Sequence, residues 1–133
     1  MIVVDTNLLV YLYVTGERTR QAEAVFLRDP VWATPFLWRS EFRNTLVGLV
    51  RRRALALDDA LRITSEAEHA MAGREYSVVS RRVLQLAADS GCSAHDCEFV
   101  SLAEDLGVTL VTADRRLLAS FPSIATSPDA FTA

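Results

Sequence analysis

Four acidic residues stand where carboxylates could carry out chemistry: Asp5, Glu41, Asp96 and Asp114. Asp5 directly follows a short apolar, β-branched run, and Asp114 follows a second run of the same kind. In open α/β sheets, ligands bind at the carboxyl ends of the strands. If both strands are central and parallel, the two aspartates emerge at the same edge, where Glu41 and Asp96 could converge from flanking helices.

A cluster of this kind needs a cation. Carboxylates that share a site raise one another's pKa values unless positive charge neutralises them. The chain has 14 basic residues and all are arginine, so no lysine can do this. A hard divalent ion such as Mg²⁺ or Mn²⁺ takes oxygen ligands and keeps some of its waters. Such an ion can activate water and stabilise phosphoryl charge, which indicates metal-dependent phosphodiester hydrolysis.

Each acidic residue also has a purely structural explanation. Asp5 and Asp114 could cap the helices that follow them. Asp96 could be the fourth residue of a capping box that begins at Ser93, and Glu41 could be a surface residue. Against this, Asp96 shares the apolar stripe of its helix, where an ionised carboxylate needs a partner.

The elements that must position these acids alternate between strand and helix. Strands are expected at 2–4, 31–33, 108–112 and 124–126, with a short extended piece at 76–79. Helices are expected at 7–14, 18–28, 35–53, 59–72, 81–89, 93–106 and 114–120, with a last helical turn at 128–131. Thr34 and Pro35 are interpreted as the cap and first residue of the third helix. This alternation predicts an α/β fold with a parallel sheet, as a single domain over 1–133.

Composition excludes several classes of protein and kinds of site. No apolar run is long enough to span a membrane and no signal peptide is evident, so a cytoplasmic protein is expected. Cys92 and Cys97 are expected to be free thiols, and His69 and His95 complete no known zinc spacing. The lack of lysine excludes a P-loop and argues against receiver domains and haloacid-dehalogenase-like phosphatases. Arginine clusters such as Arg51–Arg53 suit phosphate, although a solvated surface explains them too.

Four motifs together resemble those of PIN-domain ribonucleases, and more narrowly VapC-type toxins of bacterial toxin–antitoxin pairs. The motifs are the segment 2–7, Ser40-Glu41 on the third helix, the segment 93–103 and the segment 110–114. The resemblance covers essentially the whole chain in the order and size of the family. Relatives often have tyrosine where this chain has His95, a departure that does not touch the four acids.

The resemblance implies a three-layer α/β/α fold around about five parallel strands, with an acidic pocket. Asp5 and Asp96 would be the principal Mg²⁺ ligands, with Mn²⁺ able to substitute. Asp114 would complete the site, and Glu41 would hold a second ion or orient the attacking water. The residues that would support the pocket through hydrogen bonds are Thr6, Asn7 and Thr112. The implied reaction is in-line attack of water on RNA, leaving 5′-phosphate and 3′-hydroxyl ends.

The resemblance also implies a homodimer, a small VapB-type antitoxin partner and an RNA substrate, with transfer RNA as the family-based expectation. Some aromatic residues of the first third could line a groove for a partner helix, and core packing explains them equally well: Tyr11, Tyr13, Trp32, Phe36 and Trp38. Two alternatives stay open: a non-catalytic binding module, and an RNA-processing nuclease rather than a toxin.

Overall fold

The computed structural model describes all residues from Met1 to Ala133. Five parallel strands form one sheet in the order β3-β2-β1-β4-β5. The strands are β1 (Ile2–Val4), β2 (Trp32–Pro35), β3 (Glu75–Tyr76), β4 (Leu110–Val111) and β5 (Ala125–Thr126). The helices are α1 (Thr6–Tyr13), α2 (Thr19–Arg28), α3 (Trp38–Arg51), α4 (Leu57–Met71), α5 (Ser80–Ser90), α6 (Ala94–Leu106), α7 (Arg115–Ser120) and α8 (Pro128–Thr132).

The sheet separates two hydrophobic cores, because successive strand side chains point to opposite faces. Ile2, Val4 and Trp32 pack with the buried residues of α1 to α4. Val3 and Ala33 pack on the opposite face with those of α5 to α7. The unbroken burial of β1 reflects these two covered faces, as expected for a parallel strand. The predicted three-layer α/β/α fold with about five parallel strands is therefore confirmed.

Pro35 belongs to strand β2, which corrects the prediction that it opens the third helix. The backbone amides of Thr34 and Phe36 donate to carbonyl oxygens of the 74–76 segment at 3.1 and 3.2 Å. Pro35 has no amide hydrogen, and its nitrogen faces the other side, beyond the end of the pairing with β1. The sheet therefore loses no hydrogen bond there, and α3 begins only at Trp38.

Trp32 and Trp38 are core residues, with exposures of 2% and 0%. They therefore cannot line a groove for a partner helix. Their indole nitrogens donate inward, to the Asp29 carbonyl and the Glu75 carboxylate respectively. Phe36 differs from them, because it remains exposed. Both cysteines are free thiols, as predicted. None of the helices is long and apolar enough to cross a membrane.

Candidate active site

A polar cavity of about 200 Å³ lies at the carboxyl ends of β1 and β4. Its walls hold all four acids that the sequence singled out, from the segment after β1, from α3, from α6 and from the segment after β4. No arginine or histidine contributes to the lining, which consists of Asp5, Thr6, Asn7, Glu41, Asn44, Thr45, Asp96, Phe99, Asp114 and Leu117. The cavity is therefore acidic, with an apolar contribution from Phe99 and Leu117.

Asp5 lies between β1 and α1, at the carboxyl end of the strand and the start of the helix. Its Oδ1 accepts from the amide of Leu8 at 3.0 Å, so it caps α1. Only 8% of Asp5 is exposed. This burial raises the pKa of Asp5 to about 6, against the lowering effect of its hydrogen bonds from Thr112 and Leu8. The charges of Asp114 and Glu41 raise it further. Asp5 therefore caps α1 and also belongs to the acidic cluster.

Thr112 joins the ends of the two central strands. Its hydroxyl is fully buried, donates to Asp5 Oδ2 and accepts from the amide of Asp114 at 3.0 Å. Asp114 in turn caps α7, since its Oδ1 accepts from the amides of Arg116 and Leu117 at 2.9 and 3.0 Å. The second oxygen of Asp114 takes no part in the cap.

Thr6 orients Glu41 across the cavity. The Thr6 hydroxyl donates to Glu41 Oε1 at 2.7 Å, which links the start of α1 to the first turn of α3. This bond leaves Glu41 Oε2 free to accept a hydrogen bond from a substrate or water. Asn7 lines the same cavity, but its side-chain amide makes no hydrogen bond within the protein.

Asp96 reaches the cavity from the first turn of α6. Its amide donates to Ser93 Oγ at 3.0 Å, so half of the expected capping box forms. The Asp96 carboxylate does not return the bond to the Ser93 amide and accepts no other hydrogen bond within the protein. It is half-buried, beside the buried Phe99. The carboxylate is therefore available for a ligand.

The donor chemistry of the cavity suits a hard divalent cation. Asp96, Glu41 and Asp114 each offer at least one carboxylate oxygen without a partner in the protein, and hydroxyl and amide oxygens surround them. Burial of Asp5 without a nearby cationic side chain leaves negative charge to be balanced. The acids surround the cavity but are spread out: no group of three or more acidic, histidine or cysteine side chains is close enough to hold a metal ion in these conformations.

Two features of the site were missed or misplaced from sequence. Asn44 was not predicted, although its spacing of three from Glu41 puts it on the same side of α3. Thr45 was likewise not among the predicted site residues, and it lines the cavity about one turn beyond Glu41 on the same helix. Glu98 is a further acid nearby, and its pKa is raised chiefly by burial, with the charge of Glu41 adding to the effect. His95 is exposed and lies outside the cavity.

Comparison with known proteins identifies relatives of the whole chain. The family model of the PIN domain matches residues 2–122. The chain is 33% identical over 128 residues to Ribonuclease VapC3 of Pyrobaculum aerophilum, which covers 94% of this chain and 98% of the relative.

Solved structures show the same fold at lower identity. The crystal structure of PAE2754 from Pyrobaculum aerophilum aligns with a TM-score of 0.77 at 21% identity, over 98% of this chain and 85% of that one. A toxin–antitoxin complex from Klebsiella pneumoniae contains a chain that aligns with a TM-score of 0.70 at 19% identity, over 96% of this chain and 98% of that one.

Proposed function

The chain belongs to the PIN-domain family, and on that premise we propose that it is a divalent-metal-dependent endoribonuclease, the toxin of a toxin–antitoxin pair. One observation carries the proposal: Asp5, Glu41, Asp96 and Asp114 line a single cavity that contains no cationic side chain. Four acids that face one another cost stability unless a cation joins them. A protein that only bound RNA would gain nothing evident from this arrangement.

Asp5, Asp96, Asp114 and Glu41 are the residues that would hold the ion, and Mg²⁺ is the metal we propose, with Mn²⁺ as a substitute. When bound, the ion stabilises the charge on the phosphoryl oxygens and lowers the pKa of a water molecule. The protein holds one of these residues, Asp5, in place before the ion binds. Thr112 and the Leu8 amide fix both oxygens of Asp5.

The proposed reaction is the attack of water on an RNA phosphodiester. A bond forms between the water oxygen and phosphorus, the bond from phosphorus to the 3′ oxygen breaks, and that oxygen takes a proton. The products are 5′-phosphate and 3′-hydroxyl ends. Glu41 is the residue we assign to orient the water, because Thr6 occupies only one of its two carboxylate oxygens.

The partner we propose is a small antitoxin of the VapB type, in line with the toxin–antitoxin complex among the structural relatives. The exposed apolar side chains Val47, Leu57 and Leu61 border a groove of about 430 Å³ between α3 and α4. An amphipathic helix could place its apolar face there. A basic side chain from the same partner would neutralise the acidic cavity.

We further propose a cytoplasmic homodimer made of one domain over residues 1–133, with transfer RNA as the substrate class. Light scattering after size-exclusion chromatography tests the oligomeric state. Growth arrest on expression, relieved by a neighbouring small protein, tests the toxin role against a role in RNA processing.

Two measurements on one variant pair test the nuclease itself. Asp96→Asn removes a ligand, whereas Asp105→Asn changes an exposed acid on the same helix outside the cavity. Differential scanning fluorimetry should show a rise in Tm with Mg²⁺ or Mn²⁺ in the wild type and in Asp105→Asn, and little or none in Asp96→Asn. RNA cleavage should follow the same order. Equal ion responses and equal cleavage in all three proteins would contradict the proposal.

A further inference from the structure

The cavity-facing side of α3 continues beyond the cavity. Glu41, Asn44 and Thr45 line the cavity from this helix. Residues three, four, seven and eleven positions apart lie on one side of an α-helix, because the helix turns by about 100° per residue. Gly48 and Arg52 therefore lie on the same side, one and two turns beyond Thr45. Arg52 is about 10 Å further along the helix axis than Thr45.

The surface of this side is open at Gly48. A Cβ atom placed there would lie 3.4 Å from Arg52 Nη1 and would meet no other atom within 4 Å apart from the local helix backbone. The Arg52 guanidinium therefore folds back over Gly48, toward the cavity. We call Gly48 and Arg52, with the neighbouring Arg53, the α3 track.

Arg52 is exposed and forms no ion pair. Carboxylates already occupy other arginines of the surface: Arg39, Arg43, Arg62 and Arg82. The guanidinium of Arg52 thus has free donors, in the planar arrangement that matches a phosphate group. The Arg52 guanidinium is therefore available to an anionic group from outside the protein.

The end of α3 is unusual in a second respect. Arg53 has φ 58°, the left-handed conformation in which helices usually place glycine. A side chain there costs roughly 1 kcal/mol of strain. Arg51, Arg52 and Arg53 together present three exposed guanidinium groups at this end of the helix.

We propose that the α3 track binds backbone phosphates of the RNA strand beside the cleavage position. The inference rests on the proposed nuclease function. The cavity itself repels a polyanion, so affinity for RNA must come from positive charge close to it. Arg52 and Arg53 supply that charge directly after the last residue of α3, the helix that also supplies Glu41. Arg52 is therefore a substrate-binding residue that aligns the strand across the cavity, and the missing side chain at Gly48 leaves room for the backbone.

The test measures RNA binding separately from cleavage. A short fluorescein-labelled single-stranded RNA of mixed sequence is titrated with Asp96→Asn protein, and anisotropy is followed at several NaCl concentrations. Arg52→Gln is made in this background. Arg81→Gln is the matched control, because Arg81 is also exposed and unpaired but lies on α5 beside the Arg82–Glu104 ion pair, outside the cavity wall.

Arg52→Gln should weaken binding about tenfold at low salt, since it removes a charge-assisted hydrogen bond. The slope of log K against log salt should become shallower by about 0.7, the value for one phosphate contact to a single strand. Arg81→Gln should change neither quantity.

A second pair of variants changes the charge of the α3 track without removing Arg52. Gly48→Glu places a carboxylate four residues before Arg52, where the two can pair, whereas Gly48→Gln has the same shape without the charge. Both variants should raise Tm because they replace a glycine inside a helix. Gly48→Glu should lose considerably more RNA affinity than Gly48→Gln.

Three results would overturn the inference. If Arg52→Gln and Arg81→Gln bind RNA equally well while the wild type cleaves RNA, the α3 track does not bind the substrate and the nuclease proposal stands. If Arg52→Gln lowers Tm without changing RNA binding, Arg52 only stabilises the C-terminal end of the helix. If the wild type neither binds nor cleaves RNA, both proposals fail together.

Discussion

Asp5→Asn should change the stability of the metal-free protein in a pH-dependent way. The pKa of Asp5 is raised from 3.8 to about 6, chiefly by burial. Because the folded-state pKa is the higher one, the native protein binds this proton more tightly than the unfolded chain does. The stabilisation that comes from this bound proton is complete below the pKa of Asp5 in the unfolded chain. It is lost as the pH rises through the folded-state pKa of about 6. The loss amounts to about 3 kcal/mol.

Asparagine removes this pH-dependent contribution, because it carries no charge at any pH. Its oxygen can still accept from the amide of Leu8, but its amide nitrogen faces the Thr112 hydroxyl, which must then turn to accept. This mismatch should cost about 1–2 kcal/mol at every pH. We therefore expect Asp5→Asn to be less stable than the wild type near pH 4 and more stable near pH 7.

Urea unfolding in EDTA, at pH values from about 4 to about 7, measures the difference directly. Asp105→Asn is the control, since it removes an exposed acid from α6. The relative stability of Asp5→Asn should rise by about 2.4 kcal/mol across this range, because part of the full effect lies below pH 4. A constant or falling difference would refute the view that burial of an ionised Asp5 destabilises the protein. Added Mg²⁺ should reduce or reverse the advantage of Asp5→Asn, because only the wild type keeps the ligand.

Three further substitutions test the structural roles around the site. Thr112→Val should destabilise the protein by about 1–3 kcal/mol in urea unfolding and raise the pKa of Asp5, because the carboxylate loses its hydroxyl donor; unchanged stability would contradict this. Glu75→Gln should lower Tm but leave cleavage intact. The hydrogen bond from Arg39 lowers the pKa of Glu75, so the ionised carboxylate stabilises the folded protein. This stabilisation is lost as the pH falls through the lowered pKa of Glu75. Ser101→Ala should raise stability by about 1 kcal/mol, because the buried Ser101 hydroxyl has no partner, and a lower Tm would show that it has one.

Local chemistry made several elements predictable from sequence. Asp5, Ser93 and Asp114 accept amide hydrogen bonds at the starts of α1, α6 and α7, as their positions before helical patterns indicated. Gly91 and Gly107 end α5 and α6 in the left-handed conformation. These signals involve residues within one helical turn, so they can be read without knowing the fold.

Pro35 shows where local reasoning failed. A threonine followed by proline favours the start of a helix, yet here the pair extends β2. The deciding factor is the pairing of β2 with β3, whose residues are some forty positions away in the sequence. Tertiary hydrogen bonds outweighed the local preference.

The sequence by itself determined which residues are acidic, which helices they begin and that α/β layers would enclose them. Only the tertiary structure decided that β1 and β4 are neighbours, so that Thr112 reaches Asp5 across 107 positions of sequence. Strand order depends on long-range packing, which no local pattern encodes. The position of the Arg52 guanidinium also depends on the tertiary structure. Helical spacing puts Arg52 and Gly48 on one side of the helix, but only the side-chain conformation places the guanidinium over Gly48.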